Sequence, residues 1–261
     1  GYDRSHMRLP DCQNRLIAEI LKVQPNAVIV LHNGSPVEMP WLNDVKGLLE
    51  AYLGGQAGGA AVANILYGKV NPSGKLAETM PLKLSDNPSY LNFGGGEKVE
   101  YREGVFVGYR YYDTKEMDVA YPFGYGLSYT TFAYSNLNIS NGNPTEKDTI
   151  SVSVDVTNTG DMTGKEVVQL YVKDCTNSAI RPEKELKGFE KVALDPGETK
   201  TVTMELDKRS FAWYNTDLHD WFAASGEYKI LIGASSRDIR LESKIQLNSS
   251  QEIPLHVHMN T

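Results

Sequence analysis

Two hydrophobic rhythms divide the chain. From residue 1 to about 90, helical spacing alternates with continuous apolar runs. From about Asp148, apolar residues fall at every second position. In "LPDCQNRLIAEILKVQ", Leu16, Ile17, Ile20, Leu21 and Val23 share one helix face, with Pro10 and Asp11 at the helix start. "NAVIVLHNGSP" is an unbroken apolar run ending in turn residues, the pattern of a parallel strand covered on both faces. "VKGLLEAYLGG" reads as a second strand, "GGAAVANILYGKVNPSG" as a small-residue helix closed by a turn, and "KLAETMP" as short and extended. The order predicts a parallel sheet built from βαβ units. Two or three strands are too few to make such a sheet, so further strands are expected upstream of Gly1.

The second rhythm predicts a different architecture. "TISVSVDVTNTG" alternates Ile150, Val152, Val154 and Val156 with polar residues, and "KEVVQLYVKD" alternates Val168, Leu170 and Val172. "DPGE" turns the chain into "TKTVTMELD", and "GEYKILIG" and "RDIRLESKIQL" complete the series. Short strands with turn signals between them predict an antiparallel Greek-key sandwich. The intervening residues 89–134 hold nine of the fifteen tyrosines, broken by glycine and proline. Aromatic rings with polar tips suit a seam between domains or a sugar-lined cleft, and the seam is the commoner use. The expected division is therefore 1–88 for the end of an α/β domain, 89–134 for a crossing segment, and 135–261 for the sandwich with a C-terminal tail.

Composition narrows the function. The 261 residues suit about two domains at roughly 150 residues each. Acidic residues outnumber basic ones, 33 to 26, for a formal net charge of −7. That sign argues against a nucleic-acid partner, and no apolar run reaches the roughly 20 residues of a membrane span. Cys12 and Cys175 imply no disulfide framework and lack the CxxC spacing of a zinc or redox site. His256 and His258 share a strand face, but further metal ligands are missing, so no metal is expected. "GGQAGG" matches neither phosphate-loop pattern, and close packing of a helix on a strand accounts for its small residues. Asn33, Asn138 and Asn248 begin N-x-Ser sequons, which matter only in a glycosylating pathway.

Several stretches in fixed order carry a resemblance: "GYDRSHMRLPDCQNRLI", "VIVLHNGSPVEMPW", "AYLGGQAGGAAVANILYGKVNPSGKLAETMP", "YPFGYGLSYTTF", "VTNTGDMTGKEVVQLYV" and "ELKGFEKVALDPGE". Together they resemble glycoside hydrolase family 3, the β-glucosidase and β-xylosidase family. The likeness runs from residue 1 to about 247 and implies the end of an α/β sandwich domain followed by a fibronectin type III-like domain. It further implies a retaining reaction on a β-glucoside or oligosaccharide, with one carboxylate as nucleophile and a second as acid/base. In the family the nucleophile stands on a preceding barrel domain, and the acid/base glutamate often precedes a Gly-x-Asp-Arg motif, here Gly1, Tyr2, Asp3 and Arg4. By that alignment neither catalytic carboxylate lies within residues 1–261. The chain is expected to be inactive alone, to need its barrel domain as partner, and to self-associate through apolar surface. No cofactor is expected, because two carboxylates suffice.

Among the residues present, Asp3 and Arg4 either orient the loop carrying the glutamate, cap the helix near Pro10, or are solvated. Tyr2 is a candidate for the cleft edge. His32 and Asn33 follow an apolar strand, where open α/β sheets place ligands, although His-Asn-Gly equally suits a structural turn. Glu38 and Trp41 read as packing. In "FAWYNTDLHDWF", Trp213 and Trp221 either pack between elements or form a flat sugar platform, the basis of a competing reading as a carbohydrate-binding or adhesion module.

Overall fold

The computed structural model describes residues 4–94 and 97–252. Two compact units divide them. One runs to Pro72 and from Leu76 to Phe123; the other takes Ser73–Lys75 and the described chain from Gly124 onward.

The first unit is α/β. Helix α1 (Asp11–Val23) starts at Pro10, which suits a helix entry because the first turn leaves its N–H groups unbonded. Strands β1 (Val28–Leu31) and β2 (Gly47–Glu50) pair in parallel, with Val28 opposite Gly47 and Leu31 opposite Glu50. Helix α2 is Gly58–Leu66, and β3 (Met80–Pro81) pairs antiparallel with β4 (Val119–Tyr121) after the short helix α3 (Tyr109–Thr114). Leu31, Val37, Met39, Trp41 and Met80 form the core, and Ile17 and Leu21 of α1 pack against it.

Three expectations need correction here. The apolar face of α1 is covered only along its Ile17–Leu21 flank, while Leu16, Ile20 and Val23 are exposed. Strand β1 is not covered on both faces: Val28 is exposed and Ile29 and Val30 are half-buried, because the described sheet has only two strands. Close packing does not account for "GGQAGG", since a Cβ on Gly55, Gly58 or Gly59 would meet nothing within 4 Å.

The second unit is a β-sandwich. Its sheets are β5–β6–β9 (Phe132–Ile139, Ile150–Asn158, Thr199–Leu206) and β13–β12–β7–β8 (Asp238–Leu247, Gly226–Ser235, Gly164–Asp174, Glu185–Leu194). The alternation drives the fold directly. Ile150, Val152, Val154 and Val156 of β6 are buried while their neighbours are half-buried, and Val168, Leu170, Ile230 and Ile232 close the core from the other sheet. Strand β7 is buried on its second face too, through Gln169 and Tyr171. The Gln169 amide donates to Gly124 O at 3.0 Å and Ala234 O at 2.9 Å, and accepts from the Tyr171 hydroxyl at 2.6 Å. Gly124 has φ +79°, and a Cβ there would lie 2.1 Å from the Gln169 side chain, so this position admits only glycine.

A short helix α4 (Lys208–Phe211) leads into the hairpin β10–β11 (Trp213–Asn215, Asp220–Phe222). Trp213 meets Phe222 edge-on, Trp221 packs on the core, and the Arg209 guanidinium lies 3.5 Å from the Trp221 ring centre. One face of Trp221 is thus taken by a cation, and both tryptophans contact neighbouring side chains, as packing requires.

Beyond β13, the chain is held down by Glu146. Its buried carboxylate accepts the hydroxyl of Ser250 and the Ser250 N–H at 3.0 Å, which hold it below the usual carboxylate range. A folded-state pKa below the unfolded one stabilises above the ordinary carboxylate range, and that stability is lost as pH falls through the folded value. Glu146→Gln is expected to lower sandwich stability by about 1.5 kcal/mol at pH 7. The difference from the parent should narrow as pH falls below the ordinary carboxylate range, as urea midpoints at pH 7 and at an acid pH would show. An equal difference at both pH values would contradict the assignment.

Candidate functional site

The chemistry of the α/β unit gathers where β1 and β2 end. Leaving β1, the chain turns through His32–Pro36. Leaving β2, it passes Glu50 and Ala51, whose N–H bonds Leu31 O at 2.9 Å, and reaches Tyr52. Backbone groups beyond the carboxyl ends of parallel strands have no ladder partner, so side chains and ligands converge there.

Arg4 reaches this turn: its Nη2 donates to Ser35 Oγ at 2.6 Å and to Pro36 O at 3.1 Å. Asn33 Nδ2 donates to Ser35 O at 2.9 Å from inside the same turn. Glu50 Oε1 accepts the Tyr52 N–H at 3.0 Å, and the Tyr52 hydroxyl donates to Glu78 Oε1 at 2.8 Å. Tyr52 sits at φ +44°, a region that costs a bulky side chain about 1–3 kcal/mol and persists only where neighbours enforce it. Here the two carboxylates do so, one holding the backbone and one the phenol.

Electrostatics follow from the packing. Burial raises the Glu50 pKa, and Glu78 adds repulsion. The Tyr52 N–H, Asn33 and the charge of His32 act in the opposite direction without reversing the shift. Burial, and then Glu78, likewise raise the Tyr52 phenol. Glu50 Oε2 and Asn33 Oδ1 are buried with no hydrogen-bond partner among the described residues. The raised Glu50 has the opposite sign to Glu146: the α/β unit gives up stability as pH rises through Glu50's titration.

The structure thus brings together Arg4, His32 and Asn33 of the sequence-derived candidates, with His32 exposed beside Glu50. Tyr2 and Asp3 lie outside the described residues, as do His256 and His258. Arg4 bonds a turn rather than the start of α1, which has no side-chain cap. Trp41 is buried, its Nε1 donating to Asn14 Oδ1 at 3.0 Å, and Glu38 accepts the Leu84 N–H at 3.3 Å, so both are packing residues. Sequence reasoning passed over Glu50, Tyr52 and Glu78. The available signal was Glu50 itself, a carboxylate closing the apolar run "GLLE" at a parallel strand's carboxyl end. A cavity of about 400 Å³ in the same unit, lined by Arg8, Asn14, Glu38 and Leu82 among others, includes none of the cluster residues. Among the described residues no group of three or more His, Cys, Asp or Glu has metal-binding geometry, and no helix is long and apolar enough to cross a membrane.

Comparison with known proteins identifies the architecture. The model of the glycosyl hydrolase family 3 C-terminal domain matches residues 1–129, and that of the fibronectin type III-like domain matches residues 166–236. The chain belongs to glycoside hydrolase family 3. Over its full length it is 60% identical to thermostable β-glucosidase B of Acetivibrio thermocellus, spanning 35% of that protein. It is 46% identical over 241 residues to an exo-α-(1→6)-L-arabinopyranosidase of Bifidobacterium longum, covering 92% of this chain and 31% of the relative. The crystal structure of the Bifidobacterium adolescentis GH3 β-glucosidase superimposes with TM-score 0.93 at 44% identity, covering 98% of this chain and 38% of that one. The Kluyveromyces marxianus β-glucosidase complexed with glucose superimposes with TM-score 0.90 at 47% identity, covering 95% and 30%. The family 3 chain therefore spans about a third of the length of these relatives, and corresponds to their C-terminal portion.

Proposed function

We propose that this chain is the C-terminal portion of a retaining β-glucosidase that releases terminal β-D-glucosyl residues. In this reading it supplies one wall of the active-site cleft and a stabilising sandwich. The observation that carries the reading is the 60% identity to a named β-glucosidase along the whole chain, at a coverage of only 35% of that protein. Retaining hydrolysis needs two carboxyl groups about 5 Å apart, one as nucleophile and one as acid/base. Both are assigned to the part of the longer protein outside residues 1–261, the acid/base immediately before Gly1. Arg4 then has a definite task. Its guanidinium ties the segment that follows the acid/base to Ser35 and Pro36, so the loop holds its place without the glutamate itself being buried.

The test is turnover of an aryl β-glucoside. The 261-residue chain alone is expected to match the buffer blank, whereas the longer protein hydrolyses the glucoside with retention of anomeric configuration. Turnover by the isolated chain at the longer protein's rate would overturn the reading.

A further inference from the structure

The strand-end cluster contains two oxygen atoms that its own hydrogen bonds leave unserved. Its members Arg4, Asn33, Glu50, Tyr52 and Glu78 all belong to the α/β unit. Glu50 Oε1 accepts the Tyr52 N–H, and the Tyr52 phenol is committed to Glu78, so neither donor of Tyr52 serves Glu50 Oε2. Asn33 gives its amide nitrogen to Ser35 O, a carbonyl that can only accept, and this settles which end of the amide is left over. That end is Oδ1. Both Asn33 Oδ1 and Glu50 Oε2 are buried with no hydrogen-bond partner among the described residues, and Asn33 lies beside the Glu50 carboxyl. Each buried acceptor without a donor has lost its bond to water for nothing in return. One proton corrects both. A carboxylic acid donates through one oxygen and still accepts at the other, which matches an N–H at Oε1 and a bare acceptor beside Oε2. An ionised Glu50 accepts at most an N–H from Asn33 and leaves Oδ1 without a donor.

We propose that Glu50 is a positioning residue that works as the carboxylic acid, donating its Oε2 proton to Asn33 Oδ1 and so fixing the His32–Pro36 turn that seats Arg4. Asn33 is then held at both ends of its amide, and Ser35 Oγ and Pro36 O stand fixed for the Arg4 guanidinium. The proposal rests on the reading above only in giving that turn a catalytic purpose. The surroundings favour the proton. Burial disfavours the ionised form most, and Glu78 repels it; the charge of His32, exposed at the end of β1, favours it without reversing the balance. With Tyr52, whose phenol Glu78 holds, these are the titratable groups among the described residues that act on Glu50. Loss of the proton orphans Oδ1 again and frees the turn. The bond is therefore present below Glu50's titration and lost as pH rises through it.

Amide protection factors of the full 261-residue chain, followed by NMR between acid and neutral pH, test this without using activity. In the parent, protection at residues 32–35 is expected to fall about tenfold as pH rises through the titration of the Glu50 side-chain carboxyl, read in the same samples. Glu50→Gln offers an N–H to Oδ1 and an acceptor to the Tyr52 N–H at every pH, so it should hold the acid-pH protection throughout. Glu50→Ala should lack that protection throughout. Glu78→Gln, which still accepts the Tyr52 phenol, should keep the fall but move it to lower pH, because repulsion of the ionised Glu50 is gone. Should Glu50→Ala fail to fold, the parent and Glu50→Gln decide. Protection that ignores the Glu50 titration, or that drops in Glu50→Gln at acid pH, would mean that a water serves Oδ1 and would overturn the proposal. In the longer protein, Glu50→Ala is expected to lower kcat for an aryl β-glucoside with KM retained, and Glu50→Gln to restore most of it. The protection pattern supports the proposal even where the longer protein shows no glucosidase activity, a result that would reject only the proposed function.

Discussion

Replacing Arg181 with methionine is expected to destabilise the sandwich by about 3 kcal/mol, the largest single-residue effect among its charged groups. Arg181 sits in the loop between β7 and β8, with Asp174 at the end of one strand and Glu185 at the start of the other. Its Nη1 lies 3.2 Å from Asp174, its Nη2 bonds Glu185, and the guanidinium also donates to Phe211 O at 2.7 Å and Ala212 O at 3.4 Å. The three side chains are 6–12% exposed, so removing the cation leaves two carboxylates and two carbonyls in a site that water barely reaches. Lys187, 3.8 Å from Glu185, compensates one carboxylate in part and keeps the loss below the upper end for such pairs. Arg181→Lys should recover less than half, because an ammonium is a point donor and cannot span four acceptors. The diagnostic variant is the triple replacement Arg181→Met, Asp174→Asn and Glu185→Gln. It should be more stable than Arg181→Met alone, since the loss comes from orphaned charge rather than missing attraction. Urea unfolding of the three variants measures this, and an Arg181→Met loss below about 1 kcal/mol would count against a buried network.

How far these features could be read from the sequence depended on the range of the forces involved. The sandwich strands β6, β9 and β13 were legible because burial of one sheet face imposes a two-residue period that local sequence must carry, and β7 and β12 because their core-facing residues still fall at every second position. Strands β5 and β8 were not read from periodicity. "FAYSNLNI" has a register shift between Ser135 and Asn138, and "ELKGFEKVAL" runs half-buried and then exposed in consecutive stretches, so neither alternates cleanly. The partial covering of α1 was illegible for a related reason: the spacing of Leu16, Ile17, Ile20, Leu21 and Val23 defines one apolar arc but not which flank meets a neighbour. At the site, Arg4, His32 and Asn33 were found because a motif or a strand end marked them. Glu50, Tyr52 and Glu78 form a cluster only in space, 26 residues separating the phenol from its acceptor. The strain at Tyr52 has no sequence mark at all, since its neighbours rather than a glycine impose the positive φ. The glycines of "YPFGYGLSY" show the converse: Gly124 and Gly126 stand out in sequence, but only Gln169 and the carbonyl of Gly74 explain them.

Arg4→Ala in the longer protein is expected, on the proposed function, to lower kcat about 100-fold while leaving the unfolding midpoint nearly unchanged. The two halves of this prediction have separate causes. Arg4 is solvent-exposed, and its bonds to Ser35 Oγ and Pro36 O exchange with water when lost, so the stability change should stay within about 1 kcal/mol. Activity, on the proposed reading, depends instead on where those bonds hold the loop, and a misplacement of about 1 Å at a reacting group is enough for a 100-fold loss. Substrate contacts outside the loop are untouched, so KM should change little and kcat/KM should fall with kcat. Ser35→Ala removes one of the two acceptors and should lose several-fold at most. Arg4→Lys should lie between Ser35→Ala and Arg4→Ala, because an ammonium on a flexible stem does not hold two acceptors in fixed geometry. Steady-state kinetics on an aryl β-glucoside, with thermal unfolding of the same samples, separate the terms. A kcat within twofold of the parent in Arg4→Ala would remove Arg4 from the machinery. A matching fall in kcat and in thermal stability would make its role structural.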